Sequence, residues 1–299
     1  MMDSVNNTIR IATRTSQLAM AQSGQVANDI SAALGCECEL VGLDTRGDTT
    51  RGPLVELGGK GLFTAELESA LRERRLELAI HSAKDMPAEM DADLVIAAVP
   101  PREDPRDALV SVHGPLEALA QGATVGTGSI RRSASLLALR PDLNIVPIRG
   151  NVQTRLARAA GDKADLDAVV LAMAGLKRSG LADEFAEVIH PLSTAEVIPA
   201  GGQGVLVVQT HESQTALIDQ LRVVDCAATR EALLAERAVL RGLGASCQSC
   251  VAVFVSQTET GWVGAGLNGT DDGEVTRKVR LECETSAELA AQLIEALAL

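Results

Sequence analysis

The chain has 299 residues, 46% of them hydrophobic and 1% aromatic, with a formal net charge of -13. That length allows two or three domains around a substantial core, with no need of disulfide or metal staples. The acidic balance argues against a nucleic-acid partner, and the scarcity of aromatic residues removes any stacking platform for bases.

Residues 1–7 are polar, and no apolar run approaches the roughly 20 residues that span a bilayer, so membrane insertion is not expected. Six cysteines, with Cys36 and Cys38 too tightly spaced for routine pairing, and no secretory apolar region point to a cytoplasmic protein. Residues 9–12 read as a strand, and Leu18, Gln22, Val26, Ile30 and Leu34 then recur along one face of a helix that Gly35 stops. A second strand at 39–43 leads through a Gly-rich segment to Phe63, Leu67, Ala70 and Leu71 at helical spacing, then to strands at 78–81 and 94–99. These are βαβ units. The proline-rich run from Pro100 to Pro105 reads as a rigid crossing between domains.

The pattern restarts with strands at 108–112, 124–126, 144–148 and 168–172 and helices at 129–139 and 152–160. A second crossing, Pro199-Ala200-Gly201-Gly202-Gln203-Gly204, precedes an apolar strand at 205–209 that would return the chain to the first sheet. The fold expected is α/β: two similar doubly wound, periplasmic-binding-protein-like domains around a hinged cleft. A small α+β domain follows, with a helix at 229–242, strands at 251–255, 262–267 and 275–281, and a last helix from Ser286. The divisions expected are 1–100 with 204–222, then 101–203, then 223–299.

Four features carry chemistry. Residues 126–180 hold nine basic against four acidic side chains, a local excess of five. A solvated basic face accounts for any single arginine there, whereas the group suggests polyanion binding. Within it, Gly126-Thr127-Gly128-Ser129 before Arg131 and Arg132 is a strand-to-helix turn suited to a carboxylate or phosphate. Arg149-Gly150-Asn151 with Arg155 repeats the design, Asn151 being the expected N-cap. His81-Ser82-Ala83-Lys84-Asp85 follows a strand directly, where open α/β sheets place ligand groups. Asp85 is thus a candidate acid or electrostatic partner, or else a turn aspartate paired to Lys84. His81 reads as a core histidine, and no spacing marks a metal site. Cys247, flanked by Gly244, Ala245 and Ser246, is expected to be an accessible thiol able to attack a carbon electrophile.

Over nearly its full length the chain resembles the porphobilinogen deaminases. The stretches that carry the resemblance are Ile9-Arg10-Ile11-Ala12-Thr13-Arg14-Thr15-Ser16, Thr45-Arg46-Gly47-Asp48, Gly58-Gly59-Lys60-Gly61-Leu62-Phe63, His81 to Pro87, Arg102 to Ala108, Arg149-Gly150-Asn151 with Arg155, and Cys247-Gln248. The resemblance implies a dipyrromethane cofactor bound covalently to Cys247. It also implies four head-to-tail additions of porphobilinogen with loss of ammonia, followed by hydrolytic release of hydroxymethylbilane. Asp85 matches the essential aspartate, which binds pyrrole N–H groups and stabilises developing positive charge. Arg131, Arg132, Lys84, Thr127, Ser129 and Asp85 match cofactor-binding positions. Arg14, Ser16, Arg149, Arg155, Arg178, Gln203, Lys60 and Phe63 match substrate-binding positions, with Lys60 on a loop expected to move.

The chain departs from the family in following Gln248 with Ser249-Cys250, which makes Cys247-x-x-Cys250. A redox dithiol or half of a zinc site is the local alternative, and a buried strand cysteine the simpler one. A monomer acting on a small molecule is expected. The alternative from a different class is a hinged two-domain carboxylate-binding protein without catalysis, which needs neither Cys247 nor ammonia release.

Overall fold

The computed structural model describes residues 8–49, 61–161, 164–246 and 249–298. By internal packing the chain divides into two units, Met1–Pro101 with Val205–Arg230 and Arg102–Gly204 with Glu231–Leu299. The first stretch runs β1 (Thr8–Arg14), α1 (Gln17–Leu34), β2 (Glu37–Leu43), a short α2 (Arg46–Thr49), α3 (Ala65–Arg72), β3 (Leu78–Ser82) and β4 (Leu94–Ala98). The second runs β5 (Asp107–Val110), β6 (Thr124–Gly126), α4 (Ile130–Leu139), β7 (Asn144–Val146), α5 (Val152–Leu156), β8 (Ala168–Ala172), α6 (Met173–Arg178), α7 (Leu181–Glu184) and β9 (Ile189–Pro191). Then come β10 (Leu206–His211), α8 (Thr215–Leu221), α9 (Ala227–Gly242), β11 (Val251–Thr258), β12 (Gly261–Gly269), β13 (Val275–Cys283) and α10 (Ser286–Leu297).

In the first unit the strand order is β2-β1-β3-β10-β4. The helical face expected along α1 is the one that turns inward: Val26 and Ile30 pack with Ile9, Ile11, Leu78 and Ile80 on one side of the sheet. Leu67, Ala70 and Leu71 of α3 cover Ala12 and Ala79 on the other, so the sheet is wound on both faces. The ends of α1 are set by local chemistry. The Ser16 hydroxyl accepts from the Ala19 amide, and Gly35, at φ 63°, sends its N–H to the Ser31 carbonyl.

The sheet of the second unit has the order β7-β6-β8-β5-β9. In both sheets four strands share one direction and the fourth in the order is antiparallel, β10 in the first and β5 in the second. Each is the strand that follows a crossing, so the βαβ grammar accounts for the rest of the sheet but not for these two. The helix expected over 152–160 stops at Leu156, after which the amides of Arg158 and Ala159 bond only three residues back, to the Arg155 and Leu156 carbonyls, in tighter turns. The last sheet, β11-β12-β13, is wholly antiparallel. One face buries Trp262 with Leu289 and Leu293 of α10, and the other packs Ala252 and Leu267 against Ala134 of α4.

Within the second unit Glu236 of α9 is fully buried. It accepts from Arg102 Nη1 at 2.6 Å, from the Gly202 amide at 2.6 Å and from the Val255 amide at 2.8 Å. One carboxylate thus ties the segments around both crossings to the first strand of the last sheet. Among the described residues no helix is long and apolar enough to cross a membrane.

Candidate active site

In the first unit the functional side chains stand at the carboxyl ends of β1 and β3, which are parallel neighbours and so deliver Arg14 and Ser82 to the same edge. The chain leaves β3 in a single 3-10 turn, Ala83–Asp85, pinned by the Ala83 amide on the Val205 carbonyl at 3.0 Å and the Met86 amide on the Ala83 carbonyl at 3.2 Å. That turn presents Asp85 with 36% of its side chain exposed, and Arg14 Nη1 lies 3.9 Å from Asp85 Oδ2. The Arg14 guanidinium also sits over the Phe63 ring, 4.2 Å from its centroid. Phe63 in turn fills the space where a Cβ on Gly47 would stand, 2.1 Å from the ring. A cavity here is lined by Arg14, Gln22, Phe63, Thr64, His81 and Asp85. Ser16, the cap of α1, and Lys84, in the turn itself, belong to the same edge.

His81 is buried, with Nε2 3.0 Å from Gln209 Oε1. Burial pushes its imidazole down to about 4; the Gln209 bond opposes this and the nearby Arg14 adds to it. The ring is therefore neutral at neutral pH, as expected of a core histidine, although it also lines the cavity. Thr64 Oγ1, on the cavity, and Gln209 Nε2, beside His81, are buried with no hydrogen-bond partner among the described residues.

In the second unit the turn from β6 into α4 has the expected form. The Ser129 hydroxyl caps α4 by accepting from the Arg132 amide, and Thr127 Oγ1 accepts from the Ser129 amide at 3.2 Å. Arg131 and Arg132, however, are turned inward, with only 4% and 7% of their surface exposed. Both reach Asp107, Arg131 with Nη1 at 2.8 Å from Oδ2 and Arg132 with Nη2 at 2.6 Å from Oδ1. Gln203 Nε2 donates to the same Oδ1 at 3.0 Å. Burial alone would raise the Asp107 carboxyl, but the two guanidiniums outweigh it and hold the group well below the usual carboxylate range.

The next strand-to-helix turn carries Asn151, whose side chain accepts from the Thr154 amide at 2.8 Å as an N-cap should. Arg149 is exposed beside it, and Arg155 Nε donates to the Gly150 carbonyl at 2.7 Å. Arg178, at the end of α6, sends Nη2 to the Gly204 carbonyl at 2.9 Å, and burial lowers its guanidinium. Cys247 and Lys60 lie outside the described residues. Cys250 is buried as expected, though in the bend just before β11 rather than in the strand, and burial pushes its thiol up against the opposing charge of Arg131.

The structure thus gathers Arg14, Ser16, Phe63, Lys84 and Asp85 in one unit. In the other it gathers Arg131, Arg132 and Gln203 around Asp107, with Thr127 and Ser129 in the turn that leads into α4. Sequence reasoning missed Gln22 and Asp107. Gln22 had a signal, a polar residue on the apolar stripe of α1; Asp107 lies in the matching stretch Arg102 to Ala108, but its role stayed hidden because its partners arrive from α4 and the second crossing.

A family model described as "Porphobilinogen deaminase, dipyromethane cofactor binding domain" matches residues 9–219. The chain belongs to the porphobilinogen deaminase family. The porphobilinogen deaminase of Caulobacter sp. (strain K31) is 47% identical over 253 residues, covering 81% of this chain and 78% of that one. The porphobilinogen deaminase of Syntrophus aciditrophicus (strain SB) is 41% identical over 297 residues, covering 97% and 94%. Among solved structures, the methionine binding protein MetQ aligns with a TM-score of 0.44 at 14% identity, over 78% of this chain and 94% of that one. Membership of the deaminase family makes the chain an enzyme of tetrapyrrole synthesis with a dipyrromethane cofactor, not the non-catalytic anion binder.

The residues present fit that cofactor. A dipyrromethane offers carboxylates and pyrrole N–H groups. In the second unit Arg131 and Arg132 bring two buried guanidiniums to the single carboxylate of Asp107, which leaves one positive charge suited to a ligand carboxylate.

Proposed function

We propose that this protein is a hydroxymethylbilane synthase, a cytoplasmic monomer that joins four porphobilinogen molecules head to tail with loss of ammonia and releases the tetrapyrrole by hydrolysis. The observation that carries the reading is the placement of Asp85, with Arg14 and Phe63, in one cavity at the strand ends of a deaminase-family chain. When bound, the dipyrromethane supplies the pyrrole end to which the units are added, and Cys247 holds it as a thioether.

Asp85 is half-exposed in a turn fixed by backbone bonds, so its carboxylate is pre-set to accept from pyrrole N–H groups and to stabilise the positive charge that develops as ammonia leaves. Arg14, held on the Phe63 ring and near Asp85, binds a substrate carboxylate, with Ser16 and Lys60 assisting. In the other unit Arg149, Arg155, Arg178 and Gln203 bind substrate carboxylates and N–H groups, and Thr127, Ser129, Arg131 and Arg132 bind those of the cofactor, as does Lys84 in the unit of Asp85. Residues 1–100 with 204–222 form the domain of Asp85, 101–203 the arginine-rich domain and 223–299 the domain of Cys247.

Asp85→Asn tests this directly. The variant keeps the side-chain shape and is expected to carry the cofactor mass while losing turnover on the order of 100-fold or more. Near-normal turnover would remove Asp85 from the mechanism.

A further inference from the structure

Asp107 lies at the first position of β5 with none of its surface exposed, and the matching stretch Arg102 to Ala108 that contains it gives it no ligand role. Its Oδ1 accepts from Arg132 Nε at 3.0 Å, Arg132 Nη2 at 2.6 Å and Gln203 Nε2 at 3.0 Å, and its Oδ2 from Arg131 Nη1 at 2.8 Å. The two arginines also donate to main chain, Arg131 to the Ile198 carbonyl at 2.7 Å and Arg132 to the Val170 carbonyl at 3.0 Å. One carboxylate therefore orients three side chains that come from α4 and from the crossing before β10.

The charges do not balance. Two buried guanidiniums face one carboxylate, which leaves one positive charge, and both guanidiniums stand in the first turn of α4, where the helix dipole adds to it. Gln203, the third partner, keeps its side-chain carbonyl oxygen buried and unpaired among the described residues. A purely structural ion pair has no reason to bury a second cation at that place or to leave an amide half satisfied.

We propose that Asp107 is a positioning residue: it fixes Arg131 and Arg132 in the arrangement that receives the bound dipyrromethane, holds Gln203 beside them for substrate, and leaves one positive charge for the cofactor's carboxylate. The proposal rests on the function proposed above. Its consequence is that Asp107 governs both how much of the protein becomes covalently loaded and how well each loaded molecule works, without touching the ligand itself.

The test compares wild type with Asp107→Asn, which removes the charge at constant shape, and Asp107→Glu, which keeps the charge but moves it by one methylene. Intact mass gives the loaded fraction, thermal melting reports the fold, and steady-state kinetics give kcat and KM per loaded molecule. Folded variants with a reduced loaded fraction, and with kcat per loaded molecule down on the order of 100-fold, support the proposal. A merely structural role lowers the melting temperature and leaves kcat per loaded molecule and KM unchanged, which overturns it. So does wild-type behaviour in either variant, or loss of the folded protein in both. A wild-type protein without the adduct strikes instead at the function on which the proposal rests, and takes the proposal with it.

Discussion

At the scale of single residues, a side chain's chemistry here is decided by what is buried with it. His81 and Asp85 are four residues apart, yet one is sealed against Gln209 and the other stands half-exposed beside Arg14. Sequence reading placed both correctly relative to the strand end, because a strand followed by a short turn fixes which residue is inside and which is at the edge. For His81 a pH dependence follows. Its folded value of about 4 lies below the ordinary 6.5, so between these values the unfolded chain binds a proton that the folded chain refuses. Stability from this group is fully present above pH 6.5 and is lost as pH falls toward 4, by up to about 3 kcal/mol. Denaturant melts of wild type and His81→Gln between pH 4 and 7 check this: the variant should show a flatter profile. Equal slopes would show that His81 does not titrate as its burial requires.

At the scale of elements, the caps and the apolar stripes were legible and the partners of strands were not. Gly35, Ser129 and Asn151 end or start helices where their side chains or the lack of one dictate. By contrast, nothing in the run at 205–209 says that β10 lies between β3 and β4, since an apolar strand fits any sheet interior. The short α6 and α8 also escaped, being too brief to show a helical period. The crossing before β10 depends on one glycine. Gly204 has φ +85°, and a Cβ there would lie 2.3 Å from the Glu103 carbonyl oxygen. Its carbonyl also accepts from the Glu103 amide and from Arg178. Gly204→Ala is therefore expected to cost about 3 kcal/mol, measured by denaturant unfolding, and to weaken substrate binding through Arg178. An unchanged midpoint and KM would contradict this.

At the scale of the whole molecule, the same strand order appears in two sheets built from different stretches of chain, each with its antiparallel strand supplied after a crossing. The repeat of the βαβ pattern made the two sheets readable from sequence. The buried Glu236, which holds Arg102, Gly202 and Val255 together, was not, because a lone glutamate on a helix looks solvent-exposed until its partners are known. Function was legible chiefly through long matching motifs, to which the geometry adds the setting of Asp85 and the shared carboxylate of Asp107. A covalent primer on the protein itself is what every step above requires. Intact mass of the purified protein, followed by peptide mapping, is the decisive measurement. A gain equal to two porphobilinogen units less two ammonias, located on Cys247, is expected. An unmodified mass that stays unmodified after incubation with porphobilinogen would contradict it.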